Sequence, residues 1–201
     1  YWNFINLSTL LAGTVGYIAV TFFIFQQDNS LTSVLIFNIM MVTGIILHQI
    51  LDSYLLYVIN AKVLFAIGLI LQAISFVIVS QGNYNLILVG LLTGISLGMQ
   101  NDTIGSLNLL VNEDRSVNKS NALVQIFKSI ISLTTPFAVS FVSNQFGFAQ
   151  GLYYLAGILI LMALLTLLLP VGKQRAHTSL AELIKLAITE PSIRKAFRIN
   201  F

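Results

Sequence analysis

The chain contains no cysteine, so neither a disulfide framework nor a thiolate metal site is open to it. Charge is almost as scarce. Ten Lys and Arg and seven Asp and Glu make up only 8% of the 201 residues. A soluble globular domain carries about a quarter charged residues, and this supply is too thin to cover a water-facing surface. The two histidines, His48 and His177, lie too far apart in the topology read below to share a metal, so no metal site is expected. No glycine-rich phosphate loop with Lys-Ser/Thr is present, which excludes an ATPase of that type. Paired groups for hydrolysis are missing too, so neither enzyme activity nor a cofactor is expected. The pI near 9.3 reflects an excess of only +3. No basic run interleaved with aromatics accompanies it, and nucleic acid is not an expected partner.

What the chain does have is apolar length: 57% hydrophobic residues and a mean hydropathy of +0.89. The solvent this implies is the lipid bilayer. Residues 1–27 carry no charge, whereas a signal peptide has a cationic start and a shorter apolar core, so a membrane span is read there. A spanning helix needs about 20 mostly apolar residues. Six stretches qualify: Phe4–Gln26, Leu31–Leu51, Val63–Val79, Tyr84–Val111, Ala122–Val142 and Ala149–Leu169. They are parted by QQDNS, by the region after Asp52, by SQGNYN, by the charged loop NEDRSVNKS (112–120) and by SNQFGF. Pro170 and Gly172 stop the pattern. The fold class expected is all-α, a six-helix integral membrane bundle over residues 1–172.

The loops orient this bundle. Lys62 falls between spans two and three, and Arg115 and Lys119 between four and five. Lys173, Arg175, Lys185, Arg194, Lys195 and Arg198 follow span six, and only Lys128 lies inside a span. None falls after spans one, three or five. The positive-inside bias puts both ends of this segment in the cytoplasm, in the cell membrane. Residues 173–201 read as a cytoplasmic linker with a short amphipathic helix: Thr178 or Ser179 caps it, and Leu180, Leu183, Ile184, Ala187 and Ile188 share a face. That helix suits either the inner membrane surface or the protein's own loops. The terminal SIRKAFRINF reads as the lead-in to a seventh span, so the sequence is expected to belong to a longer protein.

GLLTGISLG (90–98), NLLVNEDRSVNKSNALVQ (108–125) with its Glu113-Asp114-Arg115 element, and Thr135-Pro136 in the fifth span carry a resemblance. With the six-span layout, they resemble the amino-terminal half of a major facilitator superfamily transporter. Thr135-Pro136 stands near the place of the Gly-Pro in that family's antiporter motif, without the flanking glycines. Of the family's loop signature between spans two and three, LDSYLLYVINAKVL (51–64) keeps only Lys62 and Asp52. The resemblance implies half of a twelve-helix fold and a second six-helix half as partner. It implies secondary transport of a small molecule by alternating access, with proton-coupled efflux as one form. It also implies that spans one, two, four and five line the pathway, which would gather Asn6, Thr14 or Tyr17, His48, Asp102 and Lys128 around one cavity.

Ionisable groups inside a span cost roughly 2.5–3.5 kcal/mol on insertion scales, so they normally face a cavity or a partner. Asp102 lies nine residues before Val111 and Lys128 nine after Lys119. Both therefore sit about 13–14 Å deep on what would be antiparallel neighbours, an arrangement that suggests an ion pair. Such a pair either handles substrate or protons, with Asp102 the proton candidate, or only locks two helices. The alternative function goes with the second case: a six-span channel or membrane-complex subunit with a structural Asp–Lys pair. Of Gln100 and Asn101, one is expected to share a cavity with Asp102 and the other to touch a neighbouring helix. His48 stands four residues before Asp52 and could pair with it across one turn, either as a helix-end contact or as a proton carrier. Gly90, Gly94 and Gly98 read as a stripe for close helix packing. Polar residues toward the cavity are few, which favours an amphipathic or lipophilic cargo.

Overall fold

The computed structural model describes residues 1–111 and 114–169; the linker at 173–201 lies outside them. Six helices follow one another: α1 (Trp2–Asp28), α2 (Leu31–Val58), α3 (Ala61–Ser80), α4 (Leu86–Val111), α5 (Asp114–Phe146) and α6 (Phe148–Leu167). No strand occurs among the described residues. Five of the helices are long and apolar enough to cross a membrane: α1, α2 as far as Asp52, α3, α5 from Val124, and α6. They mark a membrane protein. α4 has the length, 26 residues or about 39 Å. It falls short in apolarity because Gln100-Asn101-Asp102 and four glycines interrupt its leucines and isoleucines.

The helix ends follow from local chemistry. Asn29 adopts the left-handed conformation (φ 49°) after α1, and its N–H donates to the Phe25 carbonyl. Ser30 then caps α2 by accepting from the Thr32 N–H. Asn60 caps α3 through the Lys62 N–H, and Asn85 caps α4 through the N–H groups of Ile87 and Leu88. A single glycine, Gly147 at φ 79° and ψ 155°, separates α5 from α6; this positive-φ, extended conformation is open to glycine at no steric cost.

Three boundaries differ from the expected ones, the first being SNQFGF (143–148), which is helical except at Gly147. α2 runs seven residues past Leu51, because DSYLLYV contains no breaker and the next cap is Asn60. The stretch expected as the loop NEDRSVNKS is helical from Asp114 onward and continues into α5. A polar segment outside the bilayer can carry a helix as well as an apolar one inside it.

Apolar side chains cover the outward faces. Leu31, Leu35, Ile39, Ile46 and Ile50 on α2 are exposed, as are Leu133, Phe137 and Phe141 on α5. The interior is built on α3, where Leu64, Phe65, Leu69 and Phe76 are fully buried. Lipid tails are as apolar as leucine, so helix association in a bilayer draws on close fit and hydrogen bonds instead. Both are present. A Cβ on Gly16 would sit 2.1 Å from Cζ of Phe76, so that ring lies directly on the α1 backbone. Buried side chains join α3 to α4: Ser75 Oγ and Thr93 Oγ1 at 2.7 Å, and Gln100 Nε2 donating to Gln72 Oε1 at 2.8 Å. The Trp2 indole N–H donates to Asn108 Oδ1, and its ring meets Phe65 edge-on.

The packing has an internal correspondence. α2 lies on α4 as α5 lies on α1, and α3 lies on α4 as α6 lies on α1. α3 and α6 pack on each other. Exchanging the first three helices for the last three thus returns the main packing pairs.

Candidate functional site

Two polar features sit on different faces of α4, and helix geometry explains both. Positions 90, 94, 98 and 102 recur every four residues and fall on one face. On α2, Gly44, His48 and Asp52 recur in the same way. The two rows meet in register along parallel helices. A Cβ on Gly90 would lie 2.6 Å from Met40 Cβ, one on Gly94 2.0 Å from the Met41 carbonyl oxygen, and one on Gly98 2.6 Å from His48 Cδ2. Such separations are far below contact distance, so only glycine lets the helices approach this closely. The imidazole of His48 rests on Gly98, and one step further along each row the carboxylates follow.

His48 Nε2 is 3.1 Å from Asp102 Oδ2 and 3.6 Å from Asp52 Oδ1. The histidine side chain is 1% accessible and the two carboxylates 24% and 28%. Both imidazole nitrogens, Asp52 Oδ1 and Asp102 Oδ2 are buried without a well-formed hydrogen bond. Two carboxylates gathered in one partly dry place repel each other when both are ionised, a cost that a proton or a cation among them relieves.

The second feature is a cavity of about 220 Å³ between α1 and α4. α1 contributes Asn6, Thr9, Thr14 and Tyr17; α4 contributes Gln100 and Asn101. Asn6 and Thr9 are almost wholly buried, and neither the amide of Asn6 nor the hydroxyl of Thr9 has a hydrogen-bond partner. Tyr17 closes the α2 side by donating its hydroxyl to Asn38 Oδ1 at 2.6 Å. Ligand pockets for drug-sized molecules run to about 300–1,000 Å³. This space fits a small polar molecule, or one wall of a site shared with another part of a larger protein.

The structure therefore brings Asn6, Tyr17, Gln100 and Asn101 to one cavity, and His48 and Asp102 to a separate cluster with Asp52. Both Gln100 and Asn101 line the cavity, Gln100 also reaching α3 through Gln72, while Asp102 lies on the other side with His48. Lys128 stands on α5, with its side chain outside the described part; α4 packs chiefly on α2 and α3. Sequence reasoning missed Thr9 and Gln72. Thr9 had a signal, since it lies three residues after Asn6 and four before Gly13 on one helical face. The partnership of His48 with Asp102 had one also: Asp102 extends the glycine row by one more step of four. Comparison with protein-family models, curated proteins and solved structures finds no match to this chain.

Proposed function

We propose that the chain is a six-helix half of a secondary active transporter, moving a small molecule by alternating access in the manner of the major facilitator superfamily. The observation that carries this is the three-plus-three correspondence of the packing. An odd number of spans per unit gives the second unit the opposite orientation in the membrane. Inverted repeats of this kind are the usual frame of secondary transporters, with substrate held near the midplane at the repeat interface. The cavity fits that place, because its walls are α1 and α4, the first helix of each unit. Its unpartnered Asn6 and Thr9 would hydrogen-bond the cargo. A second six-helix half would complete the site, and rocking of one half against the other would expose it to each side in turn. Coupling to protons or another cation falls to the cluster of His48, Asp52 and Asp102.

These 201 residues contain no cysteine, and any cysteine elsewhere in the full-length protein is first replaced by serine. Single cysteines at Asn6, Thr14 and Asn101, in the full-length protein in sealed vesicles, are treated with a membrane-impermeant maleimide from either side. Alternating access predicts labelling from both sides, with no single-channel current in planar bilayers. Labelling from neither side, or unitary currents, overturns the proposal and favours the membrane-complex subunit or the channel respectively.

A further inference from the structure

We propose that His48, Asp52 and Asp102 form a binding site for a divalent transition-metal ion of the zinc–manganese–cobalt class. The inference stands on the cluster alone and does not depend on the transport proposal. One oxygen or nitrogen from each residue lies within 4.8 Å of the others. Around a tetrahedral ion with bonds of about 2.1 Å, donor atoms stand about 3.4 Å apart. The two separations from His48 Nε2, 3.1 and 3.6 Å, bracket that value. Only the carboxylates must turn to close on an ion. His48 and Asp52 also have the i, i+4 spacing by which two side chains on one helix face reach a single metal.

The donor atoms are ready for a ligand. His48 is 2% exposed, and neither of its nitrogens is satisfied by a hydrogen bond; the facing oxygens of Asp52 and Asp102 are unsatisfied as well. Gly98 leaves room for the ring and fixes it over the α4 backbone. Charge points the same way. In their ligating forms, two carboxylates and a neutral imidazole, the donors carry two negative charges, which a divalent ion neutralises within a span where net charge is costly. One nitrogen and two oxygens make a borderline-hard set that suits zinc, manganese, iron(II) or cobalt over calcium or magnesium, which prefer oxygen alone. Three protein ligands leave a coordination position open for water or an exchanging ligand. The sequence ruled out a metal held by both histidines; this site uses one.

The test is Co²⁺ titration of the purified full-length protein in detergent, followed by d–d absorption and by thermal unfolding. The expected result is one Co²⁺ per chain, displaced by Zn²⁺ but not by Mg²⁺, with a metal-dependent rise in Tm. Asp52→Asn, Asp102→Asn and His48→Gln should each weaken binding by about tenfold or more and abolish the rise in Tm, while His177→Gln should leave both intact. Should a variant aggregate, Asp102→Asn, at the more accessible of the two carboxylates, decides, checked for a monodisperse elution. Absence of stoichiometric Co²⁺, full binding in His48→Gln, or equal displacement by Mg²⁺ overturns the site.

Discussion

The two sides of α4 differ as a joint differs from a pocket. Toward α2, glycines at 90, 94 and 98 let the backbones touch, and the row ends in charge at Asp102. Toward α1, larger and polar side chains hold the helices apart and leave a cavity. Asn101 and Asp102 are adjacent in sequence, yet a rotation of about 100° sends one to the cavity and the other to the joint. A single polar patch in the sequence thus supplies two sites of different chemistry. Closeness of packing, set by the glycines, decides which side holds a rigid cluster and which holds space.

The joint should break first. Gly94→Ala places a methyl 2.0 Å from the Met41 carbonyl oxygen, and neither backbone can step aside. The expected loss is at the upper end of overpacking costs, about 3 kcal/mol, seen as a lower unfolding temperature or failure to recover folded protein. Gly105→Ala on the same helix meets nothing within 4 Å and should instead stabilise by about 0.5–1 kcal/mol. Equal effects at the two positions would remove the close α2–α4 contact from the account.

Next in size is the contrast between neighbours. Asp102→Asn should weaken Co²⁺ binding about tenfold, roughly 1.4 kcal/mol, whereas Asn101→Ala should leave it unchanged. Parallel losses would merge the two sites into one. On the α3 side, Gln100→Leu leaves the Gln72 amide buried with no partner at either end, at a cost of about 1 kcal/mol. Adding Gln72→Leu should return part of that cost, which a double-mutant cycle of thermal unfolding measures.

The smallest effect lies outside the spans. Burial, and then the nearby negative charge of Asp28, push the Tyr84 phenol up to about 12. In the unfolded chain a tyrosine titrates near pH 10. Between those values the unfolded state releases its proton first, so the folded state weakens as pH rises through that window. Tyr84→Phe should flatten the fall of Tm above pH 10, and its alkaline absorbance titration should lack the last step.

Much of the frame was legible because it rests on local signals. Long apolar runs and capping side chains such as Ser30, Asn60 and Asn85 place six helices near their observed positions. The limits of α2 and α5 were less legible, since polar residues such as Asp52 and Asp114 do not break a helix and only a cap or glycine does. At the site, the candidates were legible as residue types: every polar group singled out in α1, α2 and α4 lies at one of the two features. Their grouping was not, because depth along a helix says nothing of rotation about it. The suggestion that Asp102 faces α5 used depth alone. The four-residue row of glycines carries the rotational information and turns Asp102 toward His48.

The register of α2 against α4 underlies the cluster of His48, Asp52 and Asp102, and one cross-linking measurement tests it. A Cβ on Gly98 would stand 2.9 Å from Cβ of His48, so the two positions face each other directly, and the helices must part by about 0.6 Å or more to reach the Cβ separation of about 3.5–4.5 Å found in disulfides. With any cysteine outside these 201 residues replaced by serine, His48→Cys with Gly98→Cys should lose both free thiols on mild oxidation. Counted by maleimide mass shift after denaturation, this loss should occur within a single chain, while His48→Cys with Gly105→Cys keeps two. Two free thiols in the first pair, or oxidation of both pairs alike, would contradict the register.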